Sequence, residues 1–182
     1  MYSSFKKSLV FTAITIFIFS CQKGVDKPAQ PEEEIATSAN NGGNGATQIS
    51  GMGVYAETGE CSSGGENSSF ALKLTGDLNG CLYVFIDDYE CSPSGTYREE
   101  GREYFVGTYN GQAGTFWTTY KFEAKYEDCD GGPLGAEIFG RCQHPIVESS
   151  GTGVFNGVTG QINFKDDIEA GNFPYKGHLG LR

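Results

Sequence analysis

Histidine, methionine and tryptophan are scarce in this 182-residue chain, at two, two and one. With only His144 and His178, a histidine-based metal centre has too few ligands. Six cysteines form no C-x-x-C pair and no close cluster with histidine, which excludes zinc-finger and thioredoxin-like readings. G-x-S-x-G, H-E-x-x-H and any phosphate loop are missing, so no motif announces a reaction class. Positive charge is also short: 13 Lys and Arg face 23 Asp and Glu, a net charge of −10. That balance argues against nucleic acid, whose binding depends on phosphate neutralisation. It equally argues against electrostatic docking on anionic lipid. The apolar run Leu9 to Phe19 has 11 residues, short of the roughly 20 that a spanning helix needs. No 12-residue window shows helical periodicity.

What surrounds that apolar run is informative. Lys6 and Lys7 precede it, and Ser20-Cys21 follow. A charged start, a short apolar stretch and a small residue before cysteine resemble a bacterial lipoprotein signal. The resemblance implies that residues 1–20 are removed and that Cys21 becomes the lipid-bearing first residue. Losing Lys6 and Lys7 would take the net charge to −12. The protein would then sit in the cell envelope, lipid-anchored to a bacterial membrane on its extracytoplasmic side. Plain secretion with cleavage at another bond is the alternative. Residues 21–48 read as the lipidated cysteine and a flexible linker. Pro28, Pro31, Glu32-Glu33-Glu34 and Asn40-Asn41-Gly42-Gly43 lie there, and no aromatic residue occurs from 22 to 54. Such a segment buries too little apolar area to offset its ordering entropy.

Residues 49–182 suit one domain. They hold nine Phe, nine Tyr and the single tryptophan, Trp117. Alternation runs through them. Phe70, Leu72 and Leu74 share one face, as do Phe116, Thr118, Tyr120, Phe122, Ala124 and Tyr126. Phe173, Tyr175, Leu179 and Leu181 do the same. Period 2 with one apolar face means half-buried strands. Gly-rich turns separate them at Asp77-Leu78-Asn79-Gly80, Asn110-Gly111, Asp130-Gly131-Gly132-Pro133 and Asn156-Gly157. The fold class is all-β, a small antiparallel β-barrel of about eight strands, since closure removes exposed edges. Strands are expected near 49–56, 69–75, 80–89, 96–109, 115–127, 136–143, 153–164 and 173–181.

Five cysteines lie beyond Cys21, and an oxidising compartment predicts disulfides among them. With up-and-down strands, Cys61, Cys91 and Cys129 fall at one end and Cys81 and Cys142 at the other. Cys61–Cys91 and Cys81–Cys142 are the expected bridges, leaving Cys129 free; Cys91–Cys129 is the fallback.

The sequence also repeats itself. Gly107-Thr108-Tyr109-Asn110-Gly111 with Gly114 and Phe116 matches Gly153-Val154-Phe155-Asn156-Gly157 with Gly160 and Ile162. Asn-Gly supplies the positive φ of a tight turn, so each copy is expected to be a strand-turn-strand unit. The second copy, followed by Phe164, Asp166 and Tyr175-Lys176-Gly177-His178-Leu179, resembles the end of allene oxide cyclase-like barrels. Dirigent proteins share that calycin-type barrel. The resemblance implies the fold, and members include cyclases and isomerases, proteins that steer coupling, and many without an assigned role. No catalytic signature of the plant cyclases carries over residue by residue.

Candidate site residues follow from strand parity. Glu103 shares parity with Phe105 and Tyr109, so if Phe105 points inward Glu103 does too. Arg141 shares parity with Phe139 and could meet Glu103 inside. Glu103, Arg141, Tyr120 and Phe122 are the expected ligand-binding residues, with Glu99 nearby; catalytic residues are left unassigned. A structural ion pair at a barrel mouth is the competing reading for Glu103 and Arg141. His144 reads as a strand-end side chain hydrogen-bonded before Pro145, or as a catalytic candidate. Asp87-Asp88, Asp128 with Asp130, and Asp166-Asp167 read as solvated turn acids, because position 12 of a calcium loop at Asp128 would be Phe139. No cofactor or metal is expected. The expected function is non-catalytic binding of a small, largely apolar molecule in the barrel interior. The alternatives are a cyclase or isomerase of the allene oxide cyclase type, or an interaction module with a fully packed barrel.

Overall fold

The computed structural model describes residues 45–62, 64–129 and 135–182. Cys21, the lipoprotein signal and the linker up to residue 44 therefore lie outside the described residues, as does the turn expected at 130–133.

Nine strands occur among the described residues. They are β1 (Thr47–Tyr55), β2 (Phe70–Gly76), β3 (Leu78–Cys91), β4 (Thr96–Tyr109), β5 (Gln112–Tyr126), β6 (Glu137–Pro145), β7 (Thr152–Gly153), β8 (Thr159–Lys165) and β9 (Phe173–Gly180). Every pairing is antiparallel. The order β4-β3-β2-β1-β9-β8-β6-β5 closes through β4–β5, giving an eight-stranded barrel. Successive barrel strands are neighbours, so the connections are hairpins, and β7 adds a two-residue pairing to β5 at Gly114 and Thr115.

Alternation works as the sequence implies. On β5, Phe116, Thr118, Tyr120 and Ala124 are buried. Across β4, Glu103 and Phe105 are buried on the same face. A bulge between Ile86 and Asp88 shifts the β3 register, so Tyr89 comes opposite Glu99 and Cys91 opposite Tyr97. The first Asn-Gly copy is the β4–β5 hairpin: Asn110 and Gly111 both have positive φ, 49° and 75°, and Tyr109 pairs with Gln112. The second copy is not a hairpin. Consecutive tight turns, Phe155 N–H to Thr152 O and Asn156 N–H to Gly153 O, carry the chain from β5's edge into the barrel. Phe155 becomes fully buried there, so this copy plugs the barrel rather than pairing two neighbouring strands.

The interior has two halves. At one end Leu74, Leu78, Phe105, Phe116, Phe155 and Leu179 are all completely buried. Phe105 and Phe116 stack at 5.0 Å, and Phe155 packs edge-on against both. The Tyr175 hydroxyl latches this end by accepting the Leu78 N–H at 2.9 Å. The other end stays open.

The disulfides correct the expected pairing. Cys61 joins Cys81 and Cys91 joins Cys129, each with Cα atoms 5.8 Å apart, and Cys142 is free and buried. The fallback Cys91–Cys129 therefore forms, while Cys61–Cys91 and Cys81–Cys142 do not. The chain after β1 does not stay at its end of the barrel; it folds along the outer wall. Gly64 faces Val106, Tyr83 and Tyr104, and Gly65 lies so close to the Tyr83 ring that no side chain would fit. That path delivers Cys61 to Cys81 on the outer face of β3. Cys142 faces inward, opposite Phe122 and Phe164, and β4 and β5 separate its strand from β3.

Candidate functional site

The open half of the barrel holds a cavity of about 340 Å³. Its wall comes from the inward faces of the strands, and its rim from the β8–β9 turn at Asp166–Asn172. Phe70, Phe122, Phe164 and Phe173 supply apolar surface. Tyr55, Tyr97, Tyr120 and Tyr126 supply aromatic faces with polar tips.

A buried polar layer forms the floor. Glu103 and His144 are 3% and 4% exposed. Glu103 Oε2 accepts the Thr118 hydroxyl at 2.6 Å and lies 2.5 Å from His144 Nδ1. A carboxylate only accepts, so Nδ1 carries a proton, and in the neutral imidazole Nε2 is then an acceptor. That Nε2 is buried and has no hydrogen-bond partner. Tyr120 stacks on the imidazole with ring centroids 5.8 Å apart, and Phe164 meets it edge-on at 4.7 Å.

Four residues before Glu103 on β4, Glu99 accepts two hydroxyls at 2.6 Å, from Tyr97 and from Tyr120. Burial, then those bonds to Glu99, push both phenols well above their ordinary range. Burial likewise pushes the Cys142 thiol far up, which keeps it protonated and inert as a nucleophile.

A carboxyl pair stands at the rim. A Cβ built on Gly140 would come within 2.5 Å of Glu137 Oε1 and 2.6 Å of Asp166 Oδ2, so the two carboxyls converge on the space that glycine leaves open at 140. Burial, then the hydrogen bond to Asp166 and its charge, raise Glu137 to about 7. Burial also raises Asp166. The pair therefore holds a proton near neutrality.

Glu103, Tyr120 and Phe122 line this cavity, as does Glu99. Arg141 does not. Its side chain is 74% exposed and pairs at 2.9 Å with Glu123 on the outside. The parity step failed because Phe139 is itself 50% exposed: on β6 the inward residues are Gly140, Cys142 and His144. His144, not Arg141, is the partner of Glu103. The signal that could have found it is its spacing of two from Cys142, with the polar Arg141 and Gln143 on the opposite parity. Asp87 is held by Arg102 through two bonds of 2.9 Å, and Asp167 accepts the Ala170 N–H within its turn. Asp130 lies outside the described residues.

No protein-family model, no curated protein and no solved structure matches this chain.

Proposed function

We propose that this protein is a lipid-anchored extracytoplasmic barrel that binds a small, largely apolar molecule in the open half of its interior. The observation that carries this reading is the aromatic-lined cavity above a closed floor, in a barrel whose other half is fully packed. Pockets of about 300–1,000 Å³ with apolar walls and a few placed polar groups are the ordinary form of small-molecule sites. Two disulfides fit an oxidising compartment. The anchor rests on the sequence around Cys21, and the likeness to allene oxide cyclase-like barrels rests on the Gly151–Gly160 segment with Phe164, Asp166 and Tyr175–Leu179.

Two experiments test it. Native mass spectrometry of the protein from its source membrane is expected to show a copurifying small molecule. A neutral apolar dye, N-phenyl-1-naphthylamine, is expected to bind the wild type and to be excluded by Val84→Trp, which fills the cavity wall. Equal dye uptake by both proteins would place binding elsewhere. Cys21→Ser is expected to move the protein out of the membrane fraction; retention there would end the anchor reading.

The cyclase or isomerase reading has one observation in its favour. In the Glu103–His144 pair a carboxylate orients an imidazole whose second nitrogen has no partner, the arrangement of an oriented general base. Under that reading His144→Gln abolishes turnover and leaves dye uptake unchanged.

A further inference from the structure

The polar chemistry of the cavity is one-sided. Among the described residues no Lys or Arg lines it, whereas Glu99, Glu103, Glu137, Asp166 and Asp167 all do. Apart from Tyr55, its hydroxyl donors are already committed. Tyr97 and Tyr120 both donate to Glu99, and Thr118 donates to Glu103. Tyr126 serves Glu137. Among the described residues, three buried side-chain polar atoms have no hydrogen-bond partner: Glu137 Oε1, His144 Nε2 and Asn172 Oδ1. All three belong to residues that line this one cavity. His144 is more than nine-tenths buried, so its free nitrogen is not a surface group waiting on bulk water. Such atoms cost free energy until a donor reaches them.

We propose that the cavity is a site for a small amine with an aromatic or aliphatic body, whose ammonium group donates to Glu137 and Asp166. This rests on the ligand-binding reading above and specifies its chemistry. An ammonium brings three donors and one positive charge to a wall that carries five carboxyls and, among the described residues, no Lys or Arg. The surrounding tyrosine and phenylalanine faces favour a cation as well. An anionic head group meets the opposite situation, with five carboxyls and no cationic side chain on the wall. Binding also has a proton consequence. The ammonium takes the place of the proton held by the Glu137–Asp166 pair, and that proton leaves to the buffer. The titratable groups facing the pair are Tyr55 on β1, Tyr126 on β5, and Cys142 and His144 on β6, with Glu99 on β4 acting on Tyr55 and Tyr126 behind them. Of these, Glu99 already accepts two hydroxyls and His144 is bonded to Glu103, which leaves the pair as the group that gives up a proton.

The test is calorimetric titration of the full-length protein with three probes of one shape: 2-phenylethylamine, 2-phenylethanol and 3-phenylpropanoate. The expected order of affinity is amine, then alcohol, then carboxylate. A charge-assisted bond is strong enough to separate the first from the last by about tenfold or more. Amine binding is expected to release a proton, read from the dependence of the heat on buffer ionisation enthalpy; alcohol binding is not. Glu137→Gln and Asp166→Asn are each expected to remove the amine's advantage while the alcohol binds as before. If alcohol and carboxylate bind and the amine binds no tighter, this inference falls and the ligand-binding reading stands. If both variants keep the amine preference, the ammonium sits elsewhere and the inference falls. If none of the three probes binds, the ligand-binding reading falls with it.

Discussion

At the scale of single residues, Glu137 gives a pH dependence whose sign can be worked out. Its carboxyl moves from an ordinary 4.5 to about 7 on folding, because burial disfavours the charged form. The folded pKa lies above the unfolded one. The contribution to stability is therefore fully present below the unfolded value and is lost as pH rises through the folded value. The melting temperature is expected to fall between about pH 5 and about pH 8, and Glu137→Gln is expected to flatten that slope. A melting temperature that climbs across this window would show that the pair ionises without penalty. Residue-scale features are only partly legible in the sequence. Parity with Phe105 puts Glu103 inside, because a long strand with large apolar neighbours has an unambiguous face. Its partner is not legible in the same way. Strand β6 carries Gly140 and Cys142 on its inner face and Phe139 outside, so apolar size points the wrong way there.

Elements are set by local rules that the sequence states well, and by packing that it does not. The strands β4 and β5 and their Asn110-Gly111 turn follow from alternation and turn chemistry alone. The second Asn-Gly copy obeys the same local pattern, yet Phe155 enters the core, because burying an aromatic ring outweighs extending a two-residue strand. The segment after β1 has no periodicity, so nothing local says that it lies on the outer wall over Tyr83. Its disulfide makes that placement testable. The Cys61–Cys81 bridge closes a loop of 20 residues. Replacing both cysteines with serine is expected to cost about 3 kcal/mol in a urea titration. The covering of the outer wall is expected to loosen as well. Trp117 stacks on Tyr104 at 4.7 Å, and Gly64 lies against Tyr104. Tryptophan emission is therefore expected to shift to the red in the native double variant. An unchanged spectrum would mean that the segment holds its place by packing alone.

For the molecule as a whole, the division of one barrel into a packed half and an open half is the property on which the proposed ligand binding depends. Closure by β4–β5 removes sheet edges, and the Phe105, Phe116 and Phe155 cluster makes the interior blind at one end. At this blind floor Glu103 and His144 are buried yet line the cavity. The two halves should then respond differently to the same chemical change. Phe155 is completely buried against the rings of Phe105, Tyr109 and Phe116. Phe155→Ala is expected to cost ~3–5 kcal/mol, the range for loss of a buried aromatic. Phe122 is only partly buried and already borders open space, so Phe122→Ala creates little new cavity. It is expected to cost ~1–2 kcal/mol, mainly its own lost burial. Urea titrations of the two variants decide the matter. A large gap supports a barrel that invests its stability in the floor and leaves the upper half free to take a ligand. Equal costs would mean that the upper half is as tightly packed as the lower, and that the cavity does not persist in solution.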